Sequence, residues 1–243
     1  MATFTLLSGC GTASVVNGPG SSPQRADPQA TLIGRVSKAL DATFTAEYEW
    51  SGGEPVTVWA AEDGTWRVDV PGWGLGGTVD VSVAWTTGGF FQCAEERCVK
   101  LAGITGEVPE AYDPQVQRPF TEWLPQLLDR HLPFAVARAG DCFELTSNTV
   151  VVDAPIPAGE WCVDQHGTIL SVAAEGFGTL TLAGPVEPAA ATVELPGEIE
   201  EGEPVERELP EPPEETPSPD AEESPEDASP PSPSPSAEPE RSE

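Results

Sequence analysis

The sequence predicts an α+β fold built from an antiparallel sheet and two helical segments. Short stretches of alternating polar and apolar residues follow one another over residues 43–101, separated by turn residues, which is typical of a β-meander. Helical periodicity precedes this run, over residues 28–40, and returns over residues 114–132. Because strands and helices do not alternate, a parallel sheet is not expected.

The first half of the chain begins with a helix and continues as a meander. Asp27 is expected to cap the helix, with Pro28 in the first helical position, where its missing N–H costs nothing. The apolar face of this helix is predicted to consist of Leu32, Ile33, Val36, Ala39 and Leu40. Six strands are predicted over residues 43–50, 56–60, 66–70, 78–86, 90–93 and 97–101, with a glycine-rich loop over residues 71–77.

The second half is expected to start with a broken helix and return to strands. Asp113 and Pro114 open the helical segment, and Pro119 and Pro125 are expected to split or kink it. Further strands are predicted over residues 142–146, 150–154, 161–164, 167–173, 178–183 and 192–195.

Composition divides the 243 residues into a folded part and two flexible parts. Residues 196–243 consist largely of Glu, Pro, Ser, Asp and Ala and are predicted to be a disordered acidic tail. Residues 11–26 resemble a flexible tether, which leaves residues 27–195 as the folded domain. The formal charge of −30 excludes nucleic acid as an expected partner, because phosphate binding needs clustered Lys and Arg.

Leu7-Ser8-Gly9-Cys10 matches the lipobox that bacterial lipoprotein processing recognises. Cys10 is therefore the expected lipidation site and new N-terminus, and its acyl chains would anchor the protein at the extracytoplasmic face of the cell membrane. Residues 1–10 are too short and lack the basic residues of a full signal peptide, so we expect a truncated signal with the true start upstream. The alternative is a chance match.

The four remaining cysteines are predicted to form two disulfides. Cys93 and Cys98 flank a four-residue turn between two strands, and Cys142 and Cys162 lie in two further strand-like segments. An even number of cysteines after Cys10 is set aside is typical of an oxidising compartment. A four-cysteine zinc site is the alternative, although paired Cys-x-x-Cys spacing is missing.

The order of elements, together with Leu7-Ser8-Gly9-Cys10 and the helix over residues 28–40, resembles the Lol-type (LolA-like) outer-membrane lipoprotein carriers and the related actinobacterial lipoproteins of the LppX/LprG group. The resemblance covers residues 27–195. It implies that the antiparallel sheet curls into an open half-barrel around a helical lid, leaving an apolar cavity for acyl chains. The residues that would line its concave face, and bind the ligand, are Phe44, Tyr48, Trp50, Val58, Trp66, Val68, Val81, Val83 and Trp85. The alternative is that they form an ordinary core against the helices.

These observations predict an exported, membrane-anchored lipoprotein that is not an enzyme and that binds or carries a lipid or glycolipid. The alternative is a structural or regulatory surface lipoprotein with a filled core, acting through contacts with an envelope protein. The sequence carries two histidines and none of the common catalytic or phosphate-binding motifs, so catalytic residues, cofactors and metals are not expected.

Overall fold

The computed structural model describes residues 27–102, 108–131, 133–148 and 154–208. Within these ranges the chain has an α+β fold with a large, open, mainly antiparallel sheet, which confirms the predicted class. Cys10, the expected signal and tether over residues 1–26, and the tail after residue 208 lie outside the described residues. The same holds for residues 150–153 of the strand predicted over residues 150–154, and Ala154 is not part of a strand.

The helical elements are few and short after the first helix. Helix α1 spans Pro28–Leu40 and α2 spans Leu124–Leu127, with a 3₁₀ turn at Glu110–Tyr112 and a π-helical turn at Pro119–Trp123. The strands are β1 Phe44–Trp50, β2 Val56–Ala60, β3 Trp66–Gly74, β4 Val79–Thr86, β5 Gly89–Ala94, β6 Arg97–Ala102, β7 Phe134–Ala139, β8 Cys142–Ser147, β9 Gly159–Val163, β10 Ile169–Ala174, β11 Gly178–Leu182 and β12 Glu198–Ile199.

Helix α1 has the predicted bounds and packs against β7 and β9. Of its predicted apolar face, Leu32, Val36 and Ala39 are buried, whereas Ile33 is half-buried and Leu40 is exposed. The Asp27 carboxylate accepts a hydrogen bond of 3.2 Å from the Gln29 N–H, which satisfies one of the free donors at the start of the helix. Arg35 is buried and is held by an ion pair of 2.8 Å to Asp141 and a hydrogen bond to the Val163 carbonyl. The helix is therefore fixed to the sheet by polar as well as apolar contacts.

The described strands form one sheet of twelve, in the order β12-β6-β5-β4-β3-β2-β1-β11-β10-β9-β8-β7. Strands β1–β6 make one antiparallel meander and β7–β11 a second, and the pairing of β1 with β11 joins the two. Strands β7 and β12 lie at opposite edges, so the sheet does not close. Among the described strands only β12 pairs in parallel, with β6.

The middle helix is shorter and begins later than expected, and its two prolines do not divide it into two helices, because the π-helical turn runs directly into α2. Pro119 starts the π-helical turn and Pro125 follows Leu124 in the first turn of α2, because a proline has no N–H to donate and is tolerated in a first helical turn. Asp113 does not cap a helix; its side chain accepts a hydrogen bond of 2.9 Å from the Gln115 N–H in a local turn.

Three strand predictions need correction. Residues 71–77 are not all loop, because β3 continues to Gly74 through an irregularity between Val70 and Gly74. Residues 192–195 do not form a strand. Strands β7 and β12 were not predicted, since one follows directly on the helical segment and the other is only two residues long.

Residues 183–208 form an extended segment along the sheet, which we call the C-terminal strap. Its start bonds to β1, where Thr45 and Glu187 exchange backbone hydrogen bonds of 3.1 and 2.8 Å. Farther along, Leu195 packs on Phe91 and on the cysteines of the first disulfide. The strap thereby covers apolar side chains of β5 and β6.

The end of the strap includes the first residues of the predicted tail, 196–208, which the structure describes. Strand β12 extends the sheet beside β6, and Val205 packs in the core beside β5. The predicted disorder is therefore wrong for residues 196–208, and the folded domain extends beyond residue 195. The composition is poor in apolar residues, but backbone N–H and C=O groups bond to the sheet regardless of side chain.

Both predicted disulfides are present. Cys93 pairs with Cys98 across β5 and β6, and Cys142 pairs with Cys162 across β8 and β9. In each case the two cysteines are direct cross-strand partners, so the sheet register brings them together. The alternative of a four-cysteine zinc site is wrong.

Candidate functional site

The nine residues predicted to line a concave face lie in one core cluster. Cross-strand pairing arranges them in rows, with Val58 opposite Val68 and Val68 opposite Val83, and with Trp66 opposite Trp85. Five of the nine are buried and four are partly buried: Tyr48, Val58, Val68, Val81 and Val83, and Phe44, Trp50, Trp66 and Trp85, respectively. The alternation in the sequence therefore places all nine in the same part of the interior.

The segment after β6 partly covers this face. The ring of Phe120 lies 6.0 Å from that of Phe44 and 5.3 Å from that of Tyr48, centroid to centroid. Val116, from the same segment, is completely buried in the cluster. The nine residues thus act in part as an ordinary core, which is the alternative to a ligand cavity.

An opening remains between the end of α1, the π-helical turn and the first three strands. This apolar pocket has a volume of about 450 Å³, within the range of about 300–1,000 Å³ that small-ligand sites occupy. We name it after the apolar side chains in its wall, which are Leu40, Phe44, Val58, Trp66, Val68, Phe120, Leu124 and Ile169. Polar side chains share the wall, namely Asp41, Thr43, Glu62, Thr65, Gln117 and Thr121. Four of the nine predicted residues therefore line it. The other five, Tyr48, Trp50, Val81, Val83 and Trp85, do not.

A second opening, the polar cleft, has a volume of about 680 Å³ and a different chemistry. Aromatic rings of Trp50, Trp73 and Trp123 share its wall with the charged side chains of Arg118 and Arg207. Trp50 is the one predicted residue that lines this cleft rather than the apolar pocket. Polar surface exceeds apolar surface in its wall, so the cleft is a poorer match to an alkyl chain.

Two polar residues in the segment before the π-helical turn are buried and bonded to each other. Asp113 lines the polar cleft and Gln117 lines the apolar pocket, and they are 7% and 3% exposed. The Gln117 Nε2 donates to both carboxylate oxygens of Asp113, at 2.9 and 3.0 Å. Its Oε1 is buried and has no hydrogen-bond partner among the described residues.

Sequence reasoning missed this pair for an identifiable reason. Glutamine and aspartate are mostly surface residues, so neither was expected in the interior. Their spacing of four residues gave no signal either, because Asp113 and Gln117 precede the π-helical turn and belong to a non-helical stretch in which Gln115 has φ +63°.

Tyr48 connects the two meanders beneath the site. Its hydroxyl donates a hydrogen bond of 3.1 Å to the backbone carbonyl of Ile169, a residue that lines the apolar pocket. Burial raises the pKa of Tyr48 well above its ordinary value, because the phenolate would lose its hydration.

Replacing Tyr48 with phenylalanine is expected to lower the free energy of unfolding by about 1 kcal/mol, since the Ile169 carbonyl loses its donor. The native state holds the tyrosine proton more tightly than the unfolded chain, whose tyrosines titrate near pH 10. The stabilisation that protonated Tyr48 provides is therefore complete below about pH 10 and is lost as the pH rises further. Urea unfolding across alkaline pH measures this effect.

Tyr112→Phe is the control, because Tyr112 is the only other tyrosine and lies near the surface, where Glu206 accepts its hydrogen bond at 3.1 Å. An alkaline loss of stability that is as steep in Tyr48→Phe as in the unsubstituted protein would contradict the assignment to Tyr48.

The titratable groups elsewhere form no recognisable catalytic arrangement within the described ranges. His131 contacts Asp129 at 3.2 Å and His166 contacts Gln165, and all four side chains are at the surface or near it. Cys142, Glu160 and Cys162 lie close together, but the two sulfurs are bonded to each other and offer no thiolate to a metal.

In the part of the chain that the structure describes, helices long and apolar enough to cross a membrane are absent. Comparison with known proteins found no family model that matches this chain and no curated protein that matches it.

Proposed function

We propose that this protein is an exported lipoprotein, anchored at the extracytoplasmic face of the cell membrane through Cys10, that binds an apolar chain in the apolar pocket. The observation that carries the proposal is the pocket itself. It opens on the sheet face where the alternating residues Phe44, Val58, Trp66 and Val68 meet the helical segment. A half-barrel that carries a lipid needs an apolar opening of this kind.

Two further observations support export. The disulfides Cys93–Cys98 and Cys142–Cys162 are typical of an oxidising compartment. With those four cysteines paired, Cys10 is the one cysteine left over in the chain, in the position that the lipobox match requires.

Filling the pocket should abolish binding. Ala60 lines the pocket and is the cross-strand partner of both Phe44 and Trp66. In Ala60→Phe we expect the neutral fluorescent probe N-phenylnaphthylamine to bind at least about ten-fold more weakly than in the unsubstituted protein, because the new ring occupies the volume that the probe needs. Ala42→Phe, from the loop after α1, narrows the same pocket and provides a second variant.

Ala137→Phe is the matched control, since it adds the same ring to an exposed position of β7 away from the pocket. Equal probe binding in Ala60→Phe and Ala137→Phe, or a lack of binding in the unsubstituted protein, would contradict the pocket assignment and favour the filled-core alternative that acts through protein contacts.

The anchor is tested separately. With the upstream start included, Cys10→Ala is expected to move the protein from the membrane fraction to the soluble fraction, because the thiol is the acyl acceptor. Fractionation that does not change would count against lipidation at Cys10.

A further inference from the structure

We infer that the apolar pocket takes an amphiphile with a substituted ammonium head group, and that this head group binds above Ala60, between the side chains of Phe44 and Trp66. The inference rests on the proposed function and specifies its ligand. It starts from the wall of the pocket, where aromatic rings and carboxylates occur together and no Lys or Arg of the described residues is present.

The sheet register sets two aromatic side chains on either side of Ala60. Ala60 in β2 pairs with Phe44 in β1 and with Trp66 in β3, so the three side chains lie on the same face of the sheet. Neighbouring strands lie about 4.8 Å apart, which separates the backbones of Phe44 and Trp66 by about 10 Å. Between them Ala60, which is half-buried and lines the pocket, contributes only a methyl group. A slot therefore remains above Ala60.

The aromatic side chains around this slot suit a cation. Phe44, Trp66 and Phe120 all line the pocket, and each is half-buried rather than sealed. Phe120 lies against Phe44, with 6.0 Å between ring centroids, and adds a third ring. Ring faces carry partial negative charge and attract an ammonium group within about 6 Å of the centroid. A head group above Ala60 is one strand spacing, about 5 Å, from the strand on each side, so both flanking rings are in range.

Two carboxylates at the same end of the sheet favour the same head group. Asp41 precedes β1 and Glu62 follows β2, just outside the strand ends that carry Phe44 and Ala60. Both acidic residues line the pocket and are exposed, and neither carboxylate has a hydrogen bond or an ion pair with another described residue. They attract an ammonium group and repel a fatty carboxylate or a phosphate.

Apolar surface is available to the alkyl chain beside the head group. Leu40, next to Asp41, lines the pocket and is 37% exposed, although large apolar side chains are usually buried. The pocket thus offers an apolar wall for a chain and an anionic, aromatic opening for its head. A long-chain amine or quaternary ammonium compound combines both parts.

Three ligands of equal chain length isolate the effect of the head group. Decyltrimethylammonium is cationic, decanol is neutral and decyl sulfate is anionic. In displacement of N-phenylnaphthylamine from the full chain at pH 8, below the concentrations at which micelles form, we expect decyltrimethylammonium to bind about ten-fold more tightly than decanol. Decyl sulfate should bind most weakly.

Paired variants separate the pocket carboxylates from the net charge, because a chain of formal charge −30 attracts any cation. Asp41→Asn with Glu62→Gln is expected to reduce the preference for decyltrimethylammonium over decanol at least about three-fold. Glu144→Gln with Glu160→Gln is the matched control, since both residues are exposed, lie outside the pocket and change the net charge equally. The control should retain the preference.

The aromatic part is tested by Trp66→Leu, which should also reduce the preference at least about three-fold while decanol still binds. Trp85→Leu is its control, because Trp85 is partly buried in the same core cluster and does not line the pocket. The carboxylate variants change exposed residues only, so they test the inference even if Trp66→Leu does not fold.

Equal affinities of decyltrimethylammonium and decanol for the unsubstituted protein overturn the inference and leave the proposed function standing. A preference that falls equally in the two double variants belongs to the net charge and also overturns it. If none of the three ligands displaces the probe, the proposed function fails and the inference fails with it.

Discussion

Gly167→Ala is expected to lower the free energy of unfolding by about 3 kcal/mol. Gly167 lies in the turn between β9 and β10 with φ +96°, where residues with a Cβ are strained. A Cβ built there would lie 2.6 Å from the Ala39 nitrogen and 2.7 Å from the Lys38 carbonyl carbon. The last turn of α1 would have to move. Urea unfolding measures the loss.

Gly176→Ala is the control that separates the steric clash with α1 from the strain of a positive φ. Gly176 also has a positive φ, +77°, but a Cβ there meets nothing within 4 Å. We expect about 1 kcal/mol of destabilisation from strain alone. Equal losses in the two variants would show that α1 does not pack on the turn as described. Because Ala39 and Leu40 line the apolar pocket, Gly167→Ala should also weaken probe binding, whereas Gly176→Ala should not.

Gln92→Leu is expected to destabilise the protein by about 3 kcal/mol and to release the end of the C-terminal strap. Gln92 is 2% exposed, and its amide bonds both the N–H and the carbonyl of Val205, at 2.6 and 2.8 Å. It also donates to the Tyr112 carbonyl at 2.8 Å. Leucine of similar size leaves all three backbone groups without this partner. Hydrogen exchange of residues 196–208, together with urea unfolding, measures both effects.

Gln126→Leu is the matched control, because Gln126 is exposed on α2 and its replacement should change stability by no more than about 0.5 kcal/mol. Strap amides that exchange at the same rate in Gln92→Leu as in the control would mean that Gln92 does not hold the strap to the sheet.

The periodic parts of the fold could be predicted from the sequence because burial acts on every second residue of a strand. Trp66, Val68 and Val70 alternate in the chain and share one core cluster in the structure. The helix over residues 28–40 was equally predictable from its Asp27-Pro28 start and its apolar face. In both cases a local pattern and the final packing depend on the same side chains.

The C-terminal strap could not be predicted in this way, because backbone hydrogen bonds hold much of it to the sheet. Glu198 and Glu200 donate their N–H groups to the carbonyls of Glu96 and Cys98, both at 2.9 Å. A segment rich in Glu and Pro gives no apolar signal for such pairing. Gln117 was missed for the opposite reason, since a polar residue in an apolar segment is normally assigned to the surface.

The most direct test of the central claim is the mass spectrum of an organic-solvent extract of the full chain, purified from a bacterial host that processes the Leu7–Cys10 lipobox. We expect a co-purifying lipid from the unsubstituted protein and from Ala137→Phe, at about one molecule per chain, and much less from Ala60→Phe. The same amount of lipid in Ala60→Phe, or none in any of the three, would contradict binding in the apolar pocket.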